Sequence, residues 1–159
     1  MNALRLKATV FLLTPLIPVM LITSAGAVEH ATAAEAQAML QEAVAHYKAV
    51  GRKQALADFS AGKAPFRDRD LYVVCIAPDR VISANGAFPQ YVGTNVDTIL
   101  KDAAGKPLGA SILGSVSSKE TGSVSYMMIN PLSGQVEPKT IFTVQLSGDV
   151  CGVGVYGHV

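Results

Sequence analysis

Lys139 is the residue of this sequence whose type and position best suit the binding of a small anion. It follows Pro138 in the stretch 122–145, which is typical of two β-strands joined by a turn around Pro131 and Gly134. The second strand alternates between two sets of residues, Lys139, Ile141, Thr143 and Gln145 in one and Thr140, Phe142, Val144 and Leu146 in the other. Because successive strand residues point to opposite faces, one face is predicted to be apolar and the other to carry an ammonium, a hydroxyl and an amide. A half-solvated antiparallel sheet has the same alternation, so the hairpin alone leaves both interpretations open.

The N-terminal residues 1–27 have the pattern of a secretory signal peptide. Arg5 and Lys7 precede an apolar run at 8–22, and Ala25-Gly26-Ala27 fits a cleavage site. A run of about 15 residues is shorter than the roughly 20 that a membrane-spanning helix needs, although an uncleaved anchor stays open. Cleavage would leave residues 28–159 as a single domain with no membrane contact, periplasmic or secreted.

Composition excludes several classes of function. The formal net charge is +1 and the basic residues are scattered, so we expect no nucleic-acid partner. His46 has no cysteine or acidic partner at metal-ligand spacing. The chain has three histidines, His30, His46 and His158, and no motif of a hydrolase or metalloprotease or pair of carboxylates that can be placed on one site. Asp68, Asp70 and Asp102 are interpreted as capping and turn residues. We therefore expect no enzyme, no metal site and no cofactor.

The periodicity of the chain predicts an α+β domain. Apolar residues recur at three- and four-residue spacing over 29–50, which favours a long amphipathic helix followed by a shorter one at 52–59. The predicted inward residues of the long helix are Met39, Leu40, Ala43, Val44, Tyr47 and Val50. Strands are predicted at 71–77, at 81–84, in both arms of the hairpin, and at 149–156. Residues 62–70 and 85–102 are predicted loops, the second with a helical turn at 96–100, and Pro107 suits the first turn of a further helix. The economical arrangement is a five-stranded antiparallel sheet with helices on one face and the covering loop on the other.

The two cysteines, Cys75 and Cys151, are predicted to form a disulfide, because an exported chain meets an oxidising compartment. They fall in the first and last long strands, on the same side as Leu71, Val73 and Val153. Both strands are apolar on that side, so both cysteines should face the long helix. Two reduced, buried thiols are the alternative.

The opposite face of the sheet is predicted to hold a ligand. It would collect Tyr72, Val74, Ile76, Lys139, Ile141, Thr143, Gly152, Gly154 and Tyr156. The two glycines are expected to leave a hollow walled by tyrosines and touched by one ammonium group, which suits a carboxylate. Alternatively, the glycines only relieve a bend or bulge and the covering loop packs flat on them.

Four short motifs connect this chain to a known family. They are F-x-D-R-D-L-Y at 66–72, D-x-x-G-K-P at 102–107, Y-x-x-x-N-P at 126–131 and P-K at 138–139. Together with the surrounding sequence, nearly all of 28–159 resembles the single Cache domains of the second type, which are extracytoplasmic sensing modules of bacterial chemoreceptors and histidine kinases. The resemblance implies a PAS/profilin-like five-stranded sheet, a long N-terminal helix on one face, and a pocket on the other for small organic ligands, often short carboxylates.

Carried over to this sequence, the resemblance implies that Tyr72, Tyr126 and Lys139 lie in or at the rim of the pocket. Asn85 stands where such domains often have a histidine, and Met128 where an aromatic residue is usual. The remaining predicted pocket residues are Tyr91, Thr143, Gly152 and Gly154. No second membrane segment or signalling domain follows, so we expect a sensory module for a short organic acid that passes its bound state to a separate partner, such as a membrane sensor protein. The alternative is a non-catalytic interaction or structural domain without a small-molecule ligand.

Overall fold

The computed structural model describes residues 29–101, 105–116 and 121–157. The predicted signal peptide at 1–27 lies outside these residues, as do Asp102 and His158. Among the helices of the described ranges, none has the length and apolar character needed to cross a membrane.

The elements follow the predicted order. The helices are α1 (Ala33–Val50), α2 (Arg52–Ser60), α3 (Val96–Ile99) and α4 (Gly109–Leu113), with a 3₁₀ turn at Pro89–Tyr91. The strands are β1 (Arg67–Asp68), β2 (Leu71–Ile76), β3 (Ile82–Asn85), β4 (Gly122–Ile129), β5 (Val136–Leu146) and β6 (Asp149–Tyr156). Helix α1 begins four residues later than the pattern suggested, because Thr32 and Glu35 form a capping box that satisfies each other's backbone N–H groups.

The sheet is antiparallel throughout, with the strand order β1-β2-β6-β5-β4 and with β3 also pairing with β2. The predicted fold class is therefore confirmed, and the five long strands are those expected from the sequence. The sixth strand, β1, lies in a stretch that was predicted to be a loop. It has only two residues, Arg67 and Asp68, which is too short to show any alternation.

The helices cover one face of this sheet, as predicted. Leu71, Val73, Cys151 and Val153 are buried beneath α1 and α2 in one apolar cluster. Cys75 stands directly opposite Cys151 in the ladder between β2 and β6, and the two form the predicted disulfide. The prediction was wrong for Val50, which is 41% exposed because it is the last residue of α1 and the chain turns away at Gly51.

An ion pair between a buried carboxylate and a half-exposed arginine attaches the helices to the sheet on this side. Asp149, at the start of β6, has a fully buried side chain. Its carboxylate accepts hydrogen bonds from Arg52 Nε at 2.7 Å, from the Tyr47 hydroxyl at 3.0 Å and from the Ser83 hydroxyl at 3.2 Å. A buried charge is tolerated when its oxygens are paired in this way.

The second face lies under what we call the covering segment, residues 86–116 apart from 102–104. It packs on Tyr72, Ile76, Ile141 and Tyr156 in a second apolar cluster, which confirms the predicted division of the strand residues between two faces. Helix α3 forms at the predicted helical turn. Pro107 does not open a helix as predicted: it faces Lys101 in an isolated β-bridge, and α4 begins two residues later.

Candidate functional site

A small cavity lies between the second face of the sheet and the covering segment. Its volume is about 20 Å³, which is on the scale of the space that one water molecule needs. The lining is mainly apolar and comprises Tyr72, Val74, Ile76, Ile82, Asn85, Tyr91, Val96, Ile99, Leu100, Ile112, Tyr126, Met128 and Ile141. Five predicted pocket residues, Tyr72, Asn85, Tyr91, Tyr126 and Met128, are thus brought together around one cavity.

Strand β4 contributes Tyr126 and Met128 to the lining from alternate positions, since even-numbered residues of this strand face the covering segment. The Tyr126 hydroxyl makes no hydrogen bond to another described residue. Burial raises the pKa of Tyr126 well above its ordinary value, so the hydroxyl keeps its proton and remains a hydrogen-bond donor at neutral pH.

Asn85, the last residue of β3, directly precedes the covering segment and lines the cavity. Its side-chain oxygen accepts hydrogen bonds from the backbone N–H groups of Ala87 and Phe88, at 3.1 and 2.8 Å. This is an Asx turn, which lifts the chain off the end of β3. With the oxygen occupied, the amide nitrogen is the group that Asn85 can offer to another molecule.

Lys139 is buried with 1% of its surface exposed. Its Nζ atom lies 3.8 Å from the centre of the Tyr72 ring and 4.5 Å from the centre of the Tyr156 ring. It also donates a hydrogen bond of 3.3 Å to the Tyr156 hydroxyl. Across the described part of the chain no carboxylate lies within ion-pairing distance of Nζ. Burial lowers the pKa of Lys139 to about 7, an effect that the more distant charge of Asp70 opposes.

The predicted hollow over the glycines is absent, and this is a correction. A Cβ atom on Gly154 would overlap Cε of Lys139, and one on Gly152 would lie 2.7 Å from Cδ1 of Ile141. The missing side chains therefore make room for side chains of β5 and not for a ligand. Neither glycine lines the cavity, and Lys139 reaches it only through the ring of Tyr72.

Thr143 also lies away from the cavity lining. Its hydroxyl is 2.7 Å from the Ser115 hydroxyl, which in turn donates to the carbonyl of Ile112. Thr143 thus fastens the end of α4 to the sheet, and its predicted contact with a ligand stays a prediction.

Comparison with known proteins identifies the family. The family model described as single Cache domain 2 matches residues 22–156. The chain belongs to this family. This match confirms the resemblance that the motifs indicated. Cache domains are extracytoplasmic sensory domains and not catalytic ones.

Solved structures of sensory domains are similar to this Cache domain. A methyl-accepting chemotaxis protein from Vibrio parahaemolyticus is 19% identical, with 77% of this chain and 86% of that chain covered and a TM-score of 0.62. A periplasmic sensor domain of a chemotaxis protein is 21% identical, with 77% and 88% covered and a TM-score of 0.56. A Cache chemosensory domain described as recognising carboxylic acids is 21% identical, with 77% and 86% covered and a TM-score of 0.56. No curated protein matched the chain.

Sequence reasoning missed one polar cluster of the Cache domain, centred on Asp70. Asp70 is fully buried and accepts hydrogen bonds from the backbone of Ala31 at 3.0 Å, from His30 Nδ1 at 2.9 Å and from the side chain of Asn130 at 3.4 Å. It therefore ties the start of α1 to the β4–β5 turn and is not merely a turn residue. The only signal in the sequence was that Asp70 and Asn130 both belong to the motifs of the resemblance.

Proposed function

We propose that this Cache domain is a periplasmic or secreted sensory module that binds a short-chain organic acid in the cavity beneath the covering segment. The observation that carries the proposal is Lys139. It is a buried ammonium group that has aromatic rings and one hydroxyl around it but, within the described ranges, no carboxylate, and it lies against a tyrosine of the cavity wall.

A carboxylate ligand would supply the charge that this site lacks. A buried ammonium is strongly disfavoured unless it is paired, whereas contact with aromatic faces and a hydroxyl compensates only part of its lost hydration. The Tyr126 hydroxyl and the Asn85 amide nitrogen are further donors at the cavity, and its aliphatic walls suit a short hydrocarbon chain. A structurally similar Cache domain is described as recognising carboxylic acids, which supports the same class of ligand here.

Ligand entry requires the covering segment to move, because the cavity has a volume of only about 20 Å³. Apolar packing on the second face of the sheet holds this segment, and a small number of polar side-chain contacts add to it. Asp97 pairs with Arg80 at 2.8 Å and accepts from the backbone N–H of Gly109 at 2.8 Å, and Ser115 bonds to Thr143. Outward movement of the segment would widen the cavity and let the Tyr72 ring shift, so that Nζ of Lys139 meets the ligand. A separate partner, such as a membrane sensor, would read the changed surface.

Binding is tested by calorimetry and thermal denaturation with acetate, propionate, pyruvate and lactate. A ligand at 100 times its Kd stabilises the folded state by about 2.7 kcal/mol. We expect Lys139→Met to abolish this gain. The matched control is Lys53→Met, which removes an exposed lysine of α2 and should leave binding unchanged. Absence of heat and of a thermal shift with every acid would favour the alternative, an interaction or structural domain without a small-molecule ligand.

The pH dependence of binding provides a second test. Because the pKa of Lys139 is about 7 in the free protein, the lysine is increasingly neutral above that pH. A carboxylate prefers the ammonium form, so binding at higher pH must take up a proton. We expect the affinity to fall up to tenfold per pH unit above pH 7, and calorimetry in buffers of different ionisation enthalpy should detect the proton uptake. An affinity that stays constant from pH 7 to 9 would show that the ligand does not bind to the ammonium group of Lys139.

A further inference from the structure

Strand β4 is a free edge of the sheet, because within the described residues it pairs only with β5. The register shows which of its backbone groups are free. Asn130 N–H donates to the Gln135 carbonyl at 2.8 Å, so pairs involving even-numbered residues of β4 are the hydrogen-bonded ones. Pro138, which has no N–H, stands opposite Met127 and agrees with this alternation. The N–H and C=O groups of Ser123, Ser125 and Met127 therefore point away from the sheet.

The opposite edge of the same sheet is protected by the chain itself. Strand β1 is only two residues long, and both of them are charged. Along β3, the Ile82 N–H donates to Thr94 O at 2.9 Å, and the Gly93 N–H donates to Ile82 O at 2.9 Å. Short, charged or covered edges are the usual means by which proteins prevent unwanted strand pairing. Among the described residues, none of these devices protects strand β4.

The surface beside β4 is apolar as well as unpaired. Met127 and Ile129 are 44% and 41% exposed, and Val136 on the neighbouring strand is 60% exposed. Leu132 in the connecting turn is 45% exposed. All eight residues of β4 are uncharged. An exposed edge of this length without charges or proline is a template for an added strand.

We propose that β4 pairs with β4 of a second copy of this chain, in an antiparallel arrangement about a two-fold axis. An extended strand can pair with all of the free amide groups, and a strand that pairs antiparallel with itself satisfies both copies at once. Two copies of β4 also meet without like-charge repulsion. A register centred on Met127 places odd residues opposite odd residues, with Ser125 facing Ile129 of the partner subunit, so the exposed apolar side chains become mutually buried.

This pairing is independent of the proposed ligand. The groups that would pair belong to odd-numbered residues, whereas Tyr126 and Met128 face the cavity. Pairing therefore leaves the cavity lining unchanged, and it can be measured without any ligand.

Sedimentation equilibrium of the purified protein over a range of concentrations tests the proposal. We expect the apparent mass to rise toward twice the chain mass. Met127→Pro removes an outward N–H without breaking the bonds between β4 and β5, and Ser125→Lys places a charge at the edge, so each variant should remain at the mass of one chain. The matched control is Val50→Lys, which changes a 41% exposed valine at the end of α1 and should associate like the wild type.

Cross-linking tests the register. We expect Met127→Cys to form a covalent dimer under mild oxidation and Ser123→Cys to form none. Circular dichroism confirms that each variant is folded, and Ser125→Lys remains informative if Met127→Pro does not fold. A mass of one chain at every concentration, or a dimer that persists in the folded edge variants, would overturn the proposal.

Discussion

Two buried charges lie on opposite faces of one sheet, and their surroundings differ. On the helix side, Asp149 receives hydrogen bonds from a guanidinium and two hydroxyls. On the cavity side, Lys139 has two aromatic rings and one hydroxyl. The first charge is paired within the fold and so has a structural role. The second is left incompletely compensated, which is typical of a group whose partner arrives from outside.

The largest expected effect concerns the pair on the helix side. Arg52→Met leaves the Asp149 carboxylate buried with only hydroxyl donors, which should reduce the free energy of unfolding by about 2 to 4 kcal/mol. The upper part of the usual range is not expected, because the Arg52 side chain is 51% exposed and water can replace part of the interaction. Urea denaturation measures the change, with Lys53→Met as the neighbouring control. If Arg52→Met and Lys53→Met were equally stable, the ion pair of Asp149 would have no structural role that distinguishes it from Lys139.

The next effect concerns Lys139 and appears as a dependence of stability on pH. An ordinary lysine has a pKa near 10.4, and burial lowers the pKa of Lys139 to about 7. Between these values the unfolded chain holds a proton that the folded chain has lost, so the free energy of unfolding should rise with pH, by at most about 1.4 kcal/mol per unit. Denaturation between pH 7 and 9.5 measures this slope below the range where tyrosines of the unfolded chain ionise.

Lys139→Met should remove that slope and should not lower stability at pH 7, since replacing an uncompensated buried charge by an apolar side chain is neutral or stabilising. Lys53→Met should keep the wild-type slope. If Lys139→Met destabilised the protein as much as Arg52→Met at pH 7, both charges would have to be regarded as structural.

A smaller effect is expected where Lys139 crosses β6. Gly154→Ala introduces a methyl group into the space that the Lys139 side chain fills, and overpacking of this kind costs about 1 to 3 kcal/mol. The same substitution combined with Lys139→Ala should cost much less, because the shorter side chain frees that space. Thermal denaturation of the four proteins of this double-mutant cycle gives the coupling energy. Strict additivity would show that Gly154 is needed for its backbone and not for its neighbour.

The smallest effect concerns the attachment of the covering segment. Thr143→Val removes the hydrogen bond to Ser115 and should lower the free energy of unfolding by about 0.5 to 1.5 kcal/mol. Because the covering segment would also be released, we expect faster amide hydrogen exchange at 109–116 than in the wild type, with exchange in β2 and β6 unchanged. Uniformly faster exchange would indicate a global loss of stability in place of local release.

The sequence was sufficient for features that depend on alternation. Strand residues change face at every position, so the apolar residues of β2 and β6 are enough to predict that Cys75 and Cys151 lie on the helix side. The same rule placed Lys139 on the opposite face. The face of the sheet on which the two cysteines and Lys139 lie thus follows from this one property of strands.

Features that depend on the direction in which a side chain extends along its strand could not be predicted from the alternation of residues. The residue directly opposite Gly154 is Ile141, yet the side chain that lies over Gly154 belongs to Lys139, two positions along β5. A glycine in a sequence shows that a side chain is missing but not which neighbour fills its place. The cluster around Asp70 was missed for a related reason, since its partners Ala31 and Asn130 are 39 and 60 positions away.

The disulfide has a consequence for how the domain responds to damage. Cys75 and Cys151 are 76 positions apart, and the chain between them includes the covering segment, β4 and β5. A protease that cuts the covering segment would therefore produce two fragments that stay covalently joined, and they would run as one band on a gel until a reductant separates them. The segment that moves in the proposed binding of a ligand is thus enclosed in a covalent ring, and a single cut within it cannot release either fragment.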